Sequence, residues 1–205
     1  MPRAGLSRAV VVDIGAQLAD EAGLERLTLA GVAARAGVRL PSLYKHVGGL
    51  DDLQRGVAVL ALRELAERLS AAAVGRAGAD ALRALAEAYR RYARERPGRY
   101  AATLRAPGAD DDEHARAAAV VVEIVFAVLQ GYDLAGGHLV HATRILRSSL
   151  HGFVALEAAG GFGLPDSVDE TFARLVDGLD AALRAQVPPT ARVRPPSSQP
   201  VEITR

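Results

Sequence analysis

The sequence contains no cysteine and a single lysine, Lys45. Without cysteine there is no disulfide framework, no thiolate zinc site and no cysteine nucleophile, and this absence fits a reducing compartment. The first residues lack the long apolar segment of a signal peptide, and no apolar run is long enough to span a bilayer. We therefore expect a soluble, cytoplasmic protein with no membrane partner.

The chain also lacks a strong charge of either sign. Its 25 Lys and Arg residues balance 24 Asp and Glu residues, so the net charge is +1 at pH 7. Such a balance gives no global electrostatic reason to bind nucleic acid, and any DNA-binding function has to rest on local charge and on a motif. With 205 residues, half of them apolar, the chain is long enough for a small head and a body with its own core.

Motifs that would indicate an enzyme are missing as well. Gly160, Gly161 and Gly163 follow a predicted helix but do not lead into the Gly-Lys-Ser/Thr of a phosphate-binding loop. The sequence contains no nucleophile elbow and no paired-carboxylate site. We therefore predict no catalytic residue and no cofactor, although an enzyme remains a rival from a different class of function.

A metal site is a weak alternative. His138 and His141 are three residues apart and can share a helix face, while His114 and the acidic run Asp110–Glu113 are conceivable further ligands. Nothing in their spacing fixes a closed coordination set. Surface histidines and a solvated acidic loop explain these residues better, so no metal is predicted.

Apolar residues recur at helical spacing along the chain, and no strand pattern competes with them. One helix is predicted from Leu6 to Ala22, a second begins after the capping residue Thr28, and a third runs from Leu40 to His46 with Pro41 in its first turn. A long helix starts at Leu50, and further helices follow. The prediction is an all-α fold: an N-terminal three-helix head and a C-terminal helical body.

Three segments follow from these patterns. Residues 1–49 are predicted to form the three-helix head, and residues 50–186 the helical body. The last segment, residues 187–205, contains paired prolines and is predicted to be disordered.

Two short helices joined by a glycine-containing turn form the outline of a helix-turn-helix in the stretch TLAGVAARAGVRLPSLYKHVGGLDDL, residues 28–53. Arg35, Arg39, Lys45 and His46 add positive charge there, and no acid lies between Arg35 and His46. A helix that enters the major groove needs small or polar residues near its N-terminus, where this chain has Leu40, Pro41 and Ser42. The alternative is a pair of amphipathic helices with a solvated basic face.

The same stretch resembles the DNA-binding signature of the TetR family. The resemblance implies that residues 1–49 are a helix-turn-helix DNA-binding domain and residues 50–186 an effector-binding and dimerisation domain. Tyr44 and Lys45 match family positions that contact DNA. Together with local charge and groove geometry, the predicted DNA contacts are Arg3, Arg8, Thr28, Arg39, Leu40, Pro41, Ser42, Tyr44, Lys45 and His46. Two positions depart from the family pattern, because Arg39 stands where a capping Ser is usual and Leu50 where a phosphate-binding Lys is usual. These departures imply fewer or different phosphate contacts.

The C-terminal stretch LHGFVALEAAGGFGLPDSVDETFARLVDGL resembles the C-terminal module of a TetR subgroup that carries a His-Gly pair, here His151 and Gly152, in its penultimate helix. In the family the last two long helices usually form the bundle of a homodimer. The expected interface residues are Leu146, Leu150, Phe153, Phe172, Val176, Leu179 and Leu183. Helical periodicity alone does not exclude that these residues form an intrachain core.

The resemblance also implies a pocket for a small, largely apolar effector among the middle helices. Its predicted lining residues are Tyr89, Tyr92, Tyr100, Leu104, Phe126 and His151, each of which could instead be an ordinary core residue. The predicted function is a ligand-responsive repressor that binds a palindromic double-stranded operator as a homodimer and is released by its effector. The alternative is a helical ligand-binding or scaffold protein without operator binding.

Overall fold

The computed structural model describes residues 6–134 and 136–186, and all regular structure within these ranges is helical. The helices are α1 (Arg8–Ala22), α2 (Leu29–Ala36), α3 (Leu50–Ala73), α4 (Gly78–Glu95), α5 (Pro97–Ala102), α6 (Asp112–Gln130), α7 (Gly136–Ala158) and α8 (Val168–Ala185), with short 3-10 helices at Leu24–Arg26 and Leu40–Lys45. The all-α prediction is confirmed. Arg3 and the C-terminal segment predicted to be disordered lie outside the described residues.

Capping residues set the helix boundaries in the head. The Thr28 hydroxyl accepts a hydrogen bond from the Gly31 amide at 3.1 Å and starts α2, as its position predicted. Gly37 ends α2 with a left-handed φ of 67°, a conformation that a residue without Cβ adopts at little cost. The third helix, Leu40–Lys45, is a 3-10 helix, because its amides bond three residues back and no side chain caps it at Arg39.

The head packs around one cluster of buried side chains that extends beyond residue 49. The cluster draws on α1, α2 and the 40–45 helix, and it is completed by the first turns of α3 and by α5. Its buried members are Val11, Val12, Ala16, Leu27, Val32, Ala33, Leu43, Val47, Leu53, Val57, Ala58 and Ala102. The domain boundary predicted at residues 49 and 50 stays a prediction, and the hydrophobic core crosses it.

The short helix α5 lies against α1 at very close range. A Cβ atom on Gly98 would lie 2.0 Å from the carbonyl carbon of Ala19, so the contact requires glycine. The Asp20 carboxylate accepts a hydrogen bond from the Arg99 amide at 2.9 Å, and the buried Arg99 guanidinium also contacts Glu64 of α3 at 2.8 Å. Helix α5 therefore joins the head to the body through both backbone contact and charge.

The body packs around a second buried cluster, formed by α4, α7, α8 and parts of α3, α5 and α6. All seven residues predicted to face a dimer partner belong to this cluster: Leu146, Leu150, Phe153, Phe172, Val176, Leu179 and Leu183. The predicted dimer interface is wrong for these side chains, because they are already buried in their own chain. Periodicity identified the buried face of α7 and α8, but it carries no information about which molecule covers that face.

Arg90 is a buried cation on α4. Its guanidinium contacts the carboxylates of Glu157 at 2.5 Å and Asp169 at 2.7 Å, and it lies over the rings of Phe153 and Phe172. These hydrogen bonds raise the pKa of Arg90 above its ordinary value and lower the pKa of Glu157. One side chain on α4 therefore holds α7 and the start of α8 in place.

Within the described ranges, no helix is both long and apolar enough to cross a membrane. Nor do His, Asp and Glu side chains of the described residues gather into a group of three or more that could hold a metal ion.

Candidate nucleic-acid interface and interior cavity

The 40–45 helix presents one side to the core and the other to solvent. Leu43 is fully buried, whereas Leu40, Pro41 and Lys45 are exposed and Tyr44 is 57% exposed. Of the other residues predicted to contact DNA, Arg39 and Thr28 are exposed, and Ser42 and His46 are half-buried. Leu43 anchors this helix in the core of the head, so the exposed residues on either side of it face solvent.

The cations near this helix differ in their partners. Arg35 is paired with Glu21 of α1 at 2.6 Å. Within the described ranges no ion pair involves Arg39 or Lys45. A cation without an internal partner is available to a phosphate or to a base edge, so Arg39 and Lys45 are the best-placed charges on this surface.

Arg8 is paired with Asp52 at the surface of the head. Its guanidinium donates to both carboxylate oxygens of Asp52, at 2.6 and 2.7 Å, and to the His46 carbonyl at 3.0 Å. Asp52 also accepts from the Gly48 amide at 2.9 Å. Hydrogen bonds from Arg8 hold the pKa of Asp52 down to about 2. This arrangement fixes the turn after the 40–45 helix, and a phosphate contact by Arg8 would have to compete with Asp52.

A cavity of about 420 Å³ lies in the body between α3, α4, α6, α7 and the segment 103–107 that follows α5. Thirteen of its eighteen lining residues are aliphatic or proline, which makes its wall mainly apolar. Its volume falls within the range of small-molecule sites. The prediction of a pocket among the middle helices therefore matches a cavity in the structure.

The six predicted pocket residues have different positions. Tyr89 and Leu104 line the cavity. Tyr100 and His151 lie beside it, in a hydrogen-bonded chain: the Tyr89 and Tyr100 hydroxyls are 2.9 Å apart, and the Tyr100 hydroxyl is 2.7 Å from Nδ1 of His151. Burial raises the pKa of both tyrosines.

Tyr92 and Phe126 are not part of the cavity wall. The Tyr92 ring is fully buried, and its hydroxyl donates to the Ala61 carbonyl at 3.1 Å and lies 3.2 Å from a carboxylate oxygen of Glu64. Phe126 is partly buried against the body cluster. Neither residue lines the cavity, contrary to the prediction. Tyr92 is part of the body core, and Phe126 packs against it.

Sequence reasoning missed several residues that form the wall. Leu62, Leu65 and Val125 are aliphatic and looked like ordinary core, and Arg147 looked like an exposed cation on α7. Only the packing of α3, α6 and α7 brings them together. The turn of chain after α5 could have been suspected, because its Pro107 interrupts helical spacing next to the predicted pocket residue Leu104.

Comparisons with known proteins agree with this architecture. Residues 82–179 match a family model described as the tetracyclin repressor-like C-terminal domain. An uncharacterized HTH-type transcriptional regulator of Mycobacterium tuberculosis is 38% identical over 181 residues, which cover 88% of this chain and 83% of that protein. A second uncharacterized HTH-type transcriptional regulator, from Bacillus subtilis, is 33% identical over 175 residues, or 83% of this chain and 88% of that one.

Solved structures share the fold at lower identity. A protein of unknown function from Rhodococcus sp. superposes with a TM-score of 0.75 at 23% identity, over 90% of this chain and 99% of its own. A TetR variant from Acinetobacter baumannii, solved in complex with minocycline, gives a TM-score of 0.67 at 20% identity, over 88% of this chain and 97% of its own. Together with the curated relatives, which cover both the head and the body, these findings identify the family. The chain belongs to the TetR family of helix-turn-helix transcriptional regulators.

Proposed function

We propose that this regulator is a ligand-responsive repressor, which binds a palindromic operator as a homodimer and is released by a small molecule in its body. The observation that carries the proposal is the course of α3. Its first turns complete the core of the head, and its middle lines the 420 Å³ cavity with Leu62, Leu65 and Leu69. One rigid element therefore touches both the DNA-facing unit and the ligand site.

The exposed side of the 40–45 helix supports the DNA-binding part of the proposal. The exposed residues Arg39, Tyr44 and Lys45 lie on a segment that is anchored by the buried Leu43. The hydrogen bond from the Gly48 amide to Asp52 fixes the turn that follows this segment. In helix-turn-helix proteins the second helix of the motif enters the major groove, where side chains near its start meet base edges. We assign Tyr44 and Lys45 to backbone or base contacts and Thr28 to a phosphate beside the N-terminus of α2.

Two stripes of small and apolar residues support the dimer. On α7 the stripe runs through Ile145, Ser149, Gly152 and Leu156, and on α8 through Thr171, Leu175, Gly178 and Ala182. Both stripes have the 4-3-4 spacing of a packed helix seam. Ile145 and Leu156 are about half exposed, and a Cβ on either glycine would meet nothing in its own chain. A second copy that packs here would form a four-helix bundle.

The stripes replace the interface expected from the sequence. They lie on the same two helices, about a quarter turn around each axis from the buried faces, so the elements assigned to the dimer are retained while the residues change. A two-fold dimer presents two recognition helices to a palindrome, with centres about one turn of DNA apart, roughly 34 Å.

The positions of α3 and α5 support a coupling between ligand binding and DNA binding. The segment 103–107 lines the cavity and follows α5 directly, and α5 contacts the α1 backbone through Gly98. A ligand that prefers a different position of these helices changes the spacing of the two heads. The ligand can shift the equilibrium between the DNA-binding and the released conformation only by the difference between its affinities for the two. Coupling free energies between ligand binding and DNA binding of about 1 to 3 kcal/mol are typical.

Operator binding by Lys45→Ala and Tyr44→Phe variants tests the proposal. We expect both variants to keep their helicity and to bind a selected operator more weakly. If Lys45 contacts a phosphate, its loss lowers the salt slope of binding by about one unit per half-site. Arg116→Ala is the matched control, because Arg116 is a well-exposed cation on α6, away from the head. Wild-type affinity in both head variants would overturn this placement of the 40–45 helix.

The second candidate is a ligand-binding protein that has lost operator binding. Leu50 favours it, because an exposed leucine stands where the family signature usually has a phosphate-binding lysine. Genomic operator selection with the purified wild-type chain separates the two functions. Recovery of a palindromic sequence supports the repressor, and recovery of no sequence above background supports the alternative.

A further inference from the structure

The charges around the 420 Å³ cavity point to a class of ligand. Two arginines, Arg105 and Arg147, line the cavity, and no Asp or Glu is among its lining residues. Arg105 is paired with Asp51 of α3 at 2.5 Å. No carboxylate of the described residues forms an ion pair with Arg147. The cavity therefore has one uncompensated positive charge next to an apolar wall.

Arg147 lines the cavity from α7. It is exposed on α7, one turn after Thr143, which also lines the space. Burial raises the pKa of Tyr89 and of Tyr100, and the positive charge of Arg147 opposes that effect in part. Tyr89, which is hydrogen-bonded to Tyr100, lines the cavity together with Arg147, and aliphatic residues of α3, α4, α6, α7 and the segment 103–107 form most of the rest of the wall.

We infer that the effector is an amphipathic anion, with a carboxylate or similar group at Arg147 and an apolar body among the leucines and valines. This inference rests on the proposed function, since it names the ligand of that same site. A guanidinium binds a carboxylate with two parallel hydrogen bonds, and the pair is stronger than a neutral one. A cation or a strongly polar sugar would instead lose hydration against this wall without a matching partner.

The volume limits the size of the ligand. A liquid water occupies about 30 Å³, so 420 Å³ corresponds to about fourteen waters. A methylene group is similar in size to a water molecule. The apolar body is therefore expected to contain roughly a dozen non-hydrogen atoms, which suits a medium-length alkyl chain or two fused or linked rings.

Matched probes of different charge test the inference on the full chain. Calorimetric titrations compare dodecanoate with 1-dodecanol and with dodecyltrimethylammonium, below their micelle concentrations, and compare biphenyl carboxylate with its alcohol. We expect at least one carboxylate to bind about tenfold more tightly than its alcohol and the ammonium ion to bind most weakly. Arg147→Gln should remove this tenfold preference and leave the affinity for the alcohol unchanged. Arg144→Gln, an exposed cation one turn earlier that does not line the cavity, is the control.

Three results would overturn the inference: neither carboxylate binds more tightly than its alcohol, the preference survives in Arg147→Gln, or Arg144→Gln removes it equally. Titration of operator DNA with the same probes separates this result from the proposed function. An Arg147-dependent carboxylate that leaves operator affinity unchanged supports the ligand class and contradicts the ligand-responsive repressor. Release of DNA by carboxylate and alcohol at equal affinity supports the repressor and contradicts the ligand class.

Discussion

His114, at the start of α6, is buried without hydrogen bonds to its ring. The residue is 1% exposed, and neither ring nitrogen has a partner among the described residues. The nearest acid is Asp111, whose carboxylate lies 3.8 Å from Nδ1. Burial lowers the pKa of His114 because the charged ring would lose its hydration, and the attraction of Asp111 offsets only part of that effect. The folded protein therefore holds this ring neutral.

The lowered pKa predicts a pH dependence of stability. Between the lowered pKa of His114 and its unfolded value near 6.5, the unfolded chain binds more protons, so the free energy of unfolding decreases as the pH falls through this window. One proton gives a slope of at most about 1.4 kcal/mol per pH unit. Denaturant unfolding between pH 5 and 7.5, at fixed protein concentration, measures it. His114→Leu should flatten the slope, and an unchanged slope would assign the dependence to another group.

Arg90 predicts a large local effect on stability. Arg90→Ala removes the partner of Glu157 and the cation above Phe153 and Phe172, and it should cost about 3 kcal/mol of unfolding free energy. Arg90→Met should cost less, because a long apolar stem still covers the rings. The exposed neighbour Arg91→Ala is the control and should change stability by less than about 0.5 kcal/mol. Equal losses at positions 90 and 91 would show that the buried pair contributes little.

At the scale of elements, the contact between α5 and α1 gives a sharp prediction. Gly98→Ala places a methyl group into the backbone of Ala19, which cannot rotate away as a side chain can. Overpacking usually costs about 1 to 3 kcal/mol, and we expect the upper end of that range. Gly163→Ala is the control, since nothing lies within 4 Å of its added Cβ. Thermal unfolding measures both, and a Gly98→Ala protein as stable as wild type would contradict the close contact.

Helix positions could be predicted from the sequence where local chemistry decides them. Thr28 caps α2 as its position indicated, and α1 begins within two residues of the prediction. The 40–45 helix was predicted without its 3-10 geometry, because that geometry depends on how tightly a short segment is anchored at Leu43. Local patterns fix where a helix begins, whereas its fine geometry follows from packing.

Contacts between elements were harder to predict. The stripe through Phe172 and Val176 is apolar at helical spacing, and a stripe of that kind fits an intrachain core and a dimer seam equally well. The proposed seam contains small residues such as Gly152 and Gly178. A glycine in the sequence indicates a dimer contact only once the structure shows that no other part of the chain packs against it. Arg147 was missed for a similar reason, because an arginine on α7 becomes part of a cavity wall only through tertiary packing.

At the scale of the whole molecule, the two stripes predict how the dimer can be broken. Gly152→Leu adds a side chain to a place that is empty in one chain and filled by the partner in the proposed bundle. We expect a monomer at micromolar concentration in sedimentation experiments, unchanged helicity by circular dichroism, and weaker binding to a full palindrome. Ala119→Leu, at an exposed position on α6, is the control and should remain dimeric. A dimeric Gly152→Leu protein would exclude this seam.

The hydrophobic cluster shared by α1, α2, α3 and α5 restricts how regulators of this kind exchange parts during evolution. A recombination that joined residues 1–49 to a foreign body would leave Leu43 and Val11 without the wall that Leu53 and Ala102 supply. It would also separate α1 from the glycine that fits against its backbone. If the 40–45 helix reads the operator as proposed, new operator preferences are reached more readily by point changes among its exposed residues than by transfer of a complete head. For the same reason, an engineered chimera should carry α5 together with the first half of α3.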